Sequence, residues 1–127
     1  MIVGIGVDTV SIARIDGVWQ RGGERFLRRL FTPAEIAYCL GRARPAASLA
    51  ARFCAKEAAM KCLRTGWTSG VAFAAIEVER DASGAVDLRL HGAAAARARE
   101  FGIARWHVSL THTDTEATAF VIASANR

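Results

Sequence analysis

Near the amino terminus Val3, Ile5 and Val7 alternate with Gly4, Gly6 and Asp8, the period of a strand with one buried face. The apolar set is expected on that buried face. On the other face two glycines precede an aspartate, so backbone or ligand can approach closely beside the Asp8 carboxylate. Ser11 can cap a helix running through Ile12, Ile15, Val18 and Trp19 to Gly22-Gly23, after which a basic segment from Arg25 to Arg29 ends at Phe31. Thr32-Pro33-Ala34-Glu35 has the form of a capping box with proline at the first helical position, and predicts a short helix through Leu40. Pro45 then punctuates the chain, and the alanine density from Ala46 to Leu63 predicts a long helix closed by Gly66. The second half reads as strands at Ala74 to Arg80 and Val86 to Leu90 about an Asp81-Ala82-Ser83-Gly84 turn. A short helix from Ala93 to Phe101 follows, then strands at Trp106 to Thr111 and Ala117 to Ala123 joined through Thr113 to Glu116. The order of elements is that of an α+β domain.

The long helix carries charge where packing alone gives no reason for it. At about 100° per residue Leu49, Phe53, Met60 and Leu63 share one apolar stripe, with Lys56 projecting from its middle. Glu57, Lys61 and Arg64 line one flank and Arg52 the other, so an acid and several bases border one surface. Two structural readings stand beside the functional one. Glu57 and Lys61 have the i,i+4 spacing of a surface ion pair, and Lys56 can snorkel, its stem on the core and its ammonium in water. The functional reading is the edge of a site for an anionic ligand together with a metal.

Composition narrows the field. A chain of 127 residues is a single domain, here residues 1–127, and 52% hydrophobic residues with a mean hydropathy of +0.18 exclude a disordered chain. Seventeen Lys plus Arg against twelve Asp plus Glu, a formal charge of +5, favour a polyphosphate ligand or an acidic partner, and nucleic acid fits the charge equally well. Cys39, Cys54 and Cys62 lack metal-ligand spacing and read as core thiols of a reducing compartment. Met1 to Gly6 carry no basic leader, and no apolar run approaches the roughly eighteen residues of a membrane span, so a cytoplasmic protein is expected.

Three groups of residues stand out: Gly4-Ile5-Gly6-Val7-Asp8 followed by Arg14, the run from Arg52 to Lys61, and Trp106 to His112. Together they resemble the 4'-phosphopantetheinyl transferases of the holo-acyl-carrier-protein synthase type, over nearly the whole chain in length, order and spacing. Gly-Ile-Gly-Val-Asp with Ile12-Ala13-Arg14-Ile15, and Arg52-Phe53 with Ala55-Lys56-Glu57-Ala58 and Lys61, carry the two signatures. The resemblance implies a long central helix packed on an antiparallel sheet, assembled as a homotrimer with sites between neighbouring chains. It implies transfer of the phosphopantetheine arm of coenzyme A to a serine of apo acyl carrier protein, with release of adenosine 3',5'-bisphosphate. Whether the carrier serves fatty-acid or polyketide synthesis is left open.

Residue by residue, Asp8 and Glu57 match the family's metal ligands, and two carboxylates with phosphate oxygens and water suit Mg²⁺. Glu57, or a metal-bound water that it orients, is the candidate to deprotonate the serine, with Lys61 beside it as a catalytic cation. Arg52, Lys56 and Lys61 are expected on the coenzyme's phosphates. His112 occupies the position of a family histidine near the bound nucleotide, a binding rather than a catalytic role, while His107 reads as structural. Arg14 matches a residue that contacts the carrier, and Arg21, Arg25, Arg28 and Arg29 suit an acidic carrier helix. The family's small Gly-Thr-Gly turn, also part of the coenzyme site, corresponds here to Arg64-Thr65-Gly66 followed by the bulky Trp67.

Two other functions are weighed against this one. A small basic RNA-binding module explains the charge but not the acids at Asp8 and Glu57, and the interleaving of aromatic with basic residues is weak. A catalytically silent structural subunit has no use for the retained acids and lysines.

Overall fold

The computed structural model describes residues 1–65 and 70–126, and its axis is helix α3, Pro45–Cys62. In chain order the elements are β1 (Ile2–Ser11), α1 (Ile12–Leu30), α2 (Pro33–Leu40), α3, a 3₁₀ turn (Phe73–Ala75), β2 (Ile76–Arg80), β3 (Val86–Leu90), α4 (Gly92–Glu100), β4 (Arg105–His112) and β5 (Glu116–Ser124). Strands β1, β5 and β4 form an antiparallel sheet in that spatial order, and β2 pairs with β3 as a separate hairpin. The α+β architecture, with a long helix on an antiparallel sheet, is the one expected from the chain.

Small side chains let α3 be covered on nearly every side. Ala50, Ala55, Ala58 and Ala59 are fully buried, and the sheet meets them with Ala117, Ala119, Val121 and Ala123 of β5, also fully buried. Closest of all is β1. A Cβ at Gly6 would stand 2.0 Å from the Ala58 carbonyl oxygen, so only glycine allows helix and strand to touch there. The backbone that approaches the glycine face is therefore the protein's own helix.

That packing reverses the facing expected for β1. Ile5 and Val7 are 58% and 49% exposed, while Gly4, Gly6 and Asp8 turn toward α3. The glycine face wins because a helix can come nearer to it than to a row of branched side chains; Ile5 and Val7 are left outward, while Val3, at the register shift between Ile2 and Gly4, stays half-buried against the core. Ile5 pairs with Ile122 and Val7 with Phe120, so the outer sheet face carries a continuous apolar patch.

Local signals behave as the chemistry demands. The capping box forms in full, Glu35 N–H donating to Thr32 Oγ1 and Thr32 N–H to Glu35 Oε1. Ser11 caps α1 as expected, but the helix does not end at the glycine pair: it kinks at Gly23 (φ 56°, ψ −141°) and resumes as far as Leu30. At the end of α3, Thr65 N–H donates to the Met60 carbonyl and Arg64 N–H to that of Lys61, a Schellman arrangement. Its left-handed position is held by Arg64, at φ 52°, whereas Gly66, expected to close the helix, lies with Trp67 outside the described residues.

Candidate active site

The contact of Gly6 with Ala58 places the two carboxylates. Asp8 lies two residues beyond Gly6 on the same strand face, and Glu57 precedes Ala58 on the helix, so both line one pocket of about 400 Å³. Its remaining wall is largely apolar, from Ile15, Val18, Phe26, Leu30 and Phe53, with Arg14 at its edge. Lys61, one turn beyond Glu57, donates from Nζ to the Val7 carbonyl at 2.6 Å and stands 3.7 Å from Asp8 Oδ1. Partial burial, and then the Asp8 charge, push the Glu57 carboxyl above its ordinary value, against the opposing pull of Lys61. A raised carboxyl holds a proton more readily than a solvated one. Cys54, close by, is driven by burial and then by Asp8 to about 12, so it remains a thiol, donating to the Ala117 carbonyl.

A second pocket, of about 270 Å³, lies between α2, α3 and β4 and is strongly cationic. Arg42, Arg44, Arg52, Arg80 and His112 line it, with no acidic side chain among its walls. The Arg52 guanidinium sits 4.2 Å from the centre of the Tyr38 ring, and those of Arg42 and Arg80 lie 5.4 and 5.7 Å from it. Arg52 Nη1 donates to Ser48 Oγ, while its Nε is buried without a partner among the described residues. Arg44 is steadied by the Asp114 carbonyl at 2.9 Å. His112 ends β4 rather than following it, and its Nδ1–H donates to the Thr113 carbonyl at 3.2 Å. Convergent guanidiniums with unspent donors have the chemistry to take a phosphate.

Lys56 belongs to neither pocket, and the expectation that it meets phosphate is corrected here. It is fully buried, and its Nζ donates to Glu35 Oε1 at 2.8 Å, to the Phe73 carbonyl at 3.0 Å and to the Ile76 carbonyl at 2.6 Å. All three ammonium protons are committed inside the protein, so the side chain neither snorkels nor reaches a ligand. Burial holds its pKa below the ordinary lysine value, with Glu35 pulling the other way.

The residues singled out from the sequence thus divide: Asp8, Glu57 and Arg14 in one pocket with Lys61 beside Asp8, Arg52 and His112 in the other, Lys56 in the core, and Gly66 outside the described residues. Sequence reasoning missed Tyr38, Arg42, Arg44 and Arg80. The Arg42-Ala43-Arg44 pair ahead of Pro45 was a readable basic signal, but Tyr38 and Arg80 meet only through tertiary packing of α2 and β2. His107 points instead at Ser124, Nε2 to Oγ 3.2 Å, on the outer sheet face.

Comparison with known proteins shows the family and the fold. A profile of the 4'-phosphopantetheinyl transferase superfamily matches residues 4–121. The holo-[acyl-carrier-protein] synthase of Koribacter versatilis is 47% identical over 122 residues, covering 96% of this chain and 98% of that one, and that of Nitratidesulfovibrio vulgaris is 49% identical over the same span. Among solved structures, holo-[acyl-carrier-protein] synthase from Neisseria meningitidis superposes with a TM-score of 0.87 at 36% identity, covering 98% and 99% of the two chains. The Helicobacter pylori synthase in complex with coenzyme A superposes with a TM-score of 0.83 at 32% identity, covering 94% and 99%.

Proposed function

The chain belongs to the 4'-phosphopantetheinyl transferase superfamily, and from that membership we propose that it transfers the 4'-phosphopantetheine arm of coenzyme A to a serine hydroxyl of an apo acyl carrier protein, releasing adenosine 3',5'-bisphosphate. The observation that carries the residue assignment is the meeting of Asp8 and Glu57 in one pocket beside Lys61. In the reaction the serine oxygen attacks the pantetheine-side phosphorus of the diphosphate. The bond from that phosphorus to the bridging oxygen breaks, the electron pair leaves with the nucleotide phosphate, and the serine proton must be removed.

Each residue has a share in that chemistry. Glu57, whose carboxylate binds protons more strongly than usual, takes the serine proton directly or through a water that it orients. Lys61 places an ammonium beside Asp8, where it offsets negative charge brought in by the diphosphate. Arg52 and His112, joined by Arg42, Arg44 and Arg80, hold the phosphates of the nucleotide end. The apolar wall of the carboxylate pocket, with Phe53 and Val18, suits the pantetheine arm, and Arg14 with Arg21, Arg25, Arg28 and Arg29 of α1 forms the basic surface for an acidic carrier.

Asp8 and Glu57 fit Mg²⁺. Two carboxylates share a half-buried pocket in which one raises the proton affinity of the other, and no cluster of three or more His, Cys, Asp or Glu side chains suited to a metal occurs among the described residues. Such a pair leaves coordination positions for phosphate oxygens and water, as magnesium prefers. When bound, the ion would act as a Lewis acid toward the phosphate.

Two further readings go with the assignment. The outward patch of Ile5, Val7 and Phe120 supports a homotrimer closed through this sheet face. Cys39, Cys54 and Cys62, buried as free thiols, support a reducing, cytoplasmic setting, and among the described residues no helix is long and apolar enough to cross a membrane. The direct test is incubation with coenzyme A, Mg²⁺ and an apo carrier protein. The carrier should gain the mass of one phosphopantetheine; a carrier of unchanged mass over hours would refute the proposal.

A further inference from the structure

Among the described residues one ion pair is buried, away from both pockets, and its hydrogen bonds join α2, α3 and β2, three of the elements that line the cationic pocket. Lys56 Nζ ties the middle of α3 to Glu35 in the first turn of α2, to the 3₁₀ turn at Phe73 and to the start of β2 at Ile76. Glu35 completes the knot: Oε1 also accepts Thr32 N–H and Oε2 accepts Val78 N–H, both at 2.8 Å. The pair therefore fixes how far β2 stands from α2 and in what register.

The pocket residues are one structural repeat away from these attachment points. Tyr38 follows Glu35 by three residues on α2, Arg52 precedes Lys56 by four on α3, and Arg80 follows Val78 by two on the same face of β2. Those three meet, with the guanidiniums of Arg52 and Arg80 lying 4.2 and 5.7 Å from the Tyr38 ring centre. A small cavity of about 190 Å³, bordered by Glu35, Tyr38, Arg52, Val78 and Arg80, lies between the knot and the pocket. The two guanidiniums repel each other even as the ring attracts each of them. Stability does not by itself explain a buried pair, since apolar replacements of similar volume are often as stable.

We propose that the Lys56–Glu35 pair is the positioning device of the cationic pocket, holding α2, α3 and β2 in the one arrangement in which Tyr38, Arg52 and Arg80 converge, and so setting affinity for the coenzyme's phosphates without touching them. This rests on the reading of that pocket as the nucleotide end of the coenzyme site.

The test compares wild type with Lys56→Met, which keeps the apolar stem and removes the charge. Binding of adenosine 3',5'-bisphosphate is measured by calorimetry below both melting temperatures, together with kcat and KM for coenzyme A at saturating carrier. The bisphosphate Kd and the coenzyme KM should rise together by about tenfold or more, the scale of losing a residue that orients ligand-holding groups. The value of kcat should change by less than about threefold, because the contact of Gly6 with Ala58, not the ion pair, holds Asp8 beside Glu57. Glu35→Gln should move the same quantities in the same direction, and it decides the question if Lys56→Met does not fold. Unchanged Kd and KM in a folded variant, or a fall in kcat at constant KM, would overturn the inference. A wild-type chain that binds no bisphosphate would instead overturn the reading of the pocket.

Discussion

Arg64 holds a left-handed backbone conformation at the end of α3, where an L-residue with a side chain costs about 1 kcal/mol and glycine costs nothing in sterics. Its guanidinium recovers part of that through the Phe101 ring, 5.6 Å away, and its carbonyl is used by Arg97 Nη2 at 3.1 Å. Arg64→Gly should therefore raise stability by a few tenths to about 1 kcal/mol in denaturant melts; a clear loss would mean that the ring contact outweighs the backbone. Glu57 makes a prediction of opposite character. Its raised carboxyl means that the folded chain binds this proton more tightly than the unfolded one, so the group favours folding while protonated. That contribution is lost as pH rises from the ordinary glutamate value through the folded one, leaving a penalty at neutral pH. Mg²⁺ should lift the penalty and raise the melting temperature of wild type at neutral pH but not of Glu57→Gln; equal shifts in both would place the ion elsewhere. The charges of Asp8, Glu57 and Lys61 were legible because their types and spacing match a known signature. Lys56 was not, because nothing in a helical stripe announces that a glutamate twenty-one residues earlier will fold back as its partner.

The pairing of β1 with α3 is the element on which the carboxylate pocket depends. Gly6→Ala would put a Cβ 2.0 Å from the Ala58 carbonyl oxygen, a clash with backbone that no side-chain rotation relieves. Strand and helix would have to separate, so the variant should lose about 2 kcal/mol or more of stability and most transfer activity together. A stable, active Gly6→Ala would show that β1 and α3 are not in register as described. Element existence was well marked in the sequence: the Thr32 capping box, the proline at the start of α3 and the hairpin turn at Asp81 all did what local chemistry requires. The facing of β1 was not, since period-2 alternation tells that two faces differ without telling which is buried. Here the face bearing Gly4 and Gly6 took the helix, and Ile5 and Val7 went outward. The kink at Gly23 is a similar case, where one left-handed glycine bends a helix that its neighbours then continue.

At the scale of the whole molecule that outward patch asks for a cover. With Ile5 and Val7 about half exposed on one strand and Phe120 43% exposed on the next, closed cyclic packing would remove a contiguous apolar surface from water. Light scattering should give about three times the 13.6 kDa chain mass, and Val7→Asp should shift it toward one; a monomer with full activity would sink the shared-site assembly. Basic residues along α1 lead to a second expectation, that the KM for carrier rises with salt as charges are screened over about 8–10 Å, and rises also in Arg14→Glu with coenzyme KM little changed. A KM insensitive to salt would put apolar contacts in charge of carrier recognition.

All of this turns on whether Asp8 and Glu57 are the reacting centre. The most direct measurement is the mass of an apo carrier protein after a single turnover with coenzyme A and Mg²⁺, using wild type, Asp8→Asn and Glu57→Gln, each first shown to be folded and to bind adenosine 3',5'-bisphosphate. Wild type should add one phosphopantetheine to the carrier, and each variant should be slower by about a hundredfold or more with bisphosphate binding retained. Wild-type transfer rates in either folded variant would contradict the assignment.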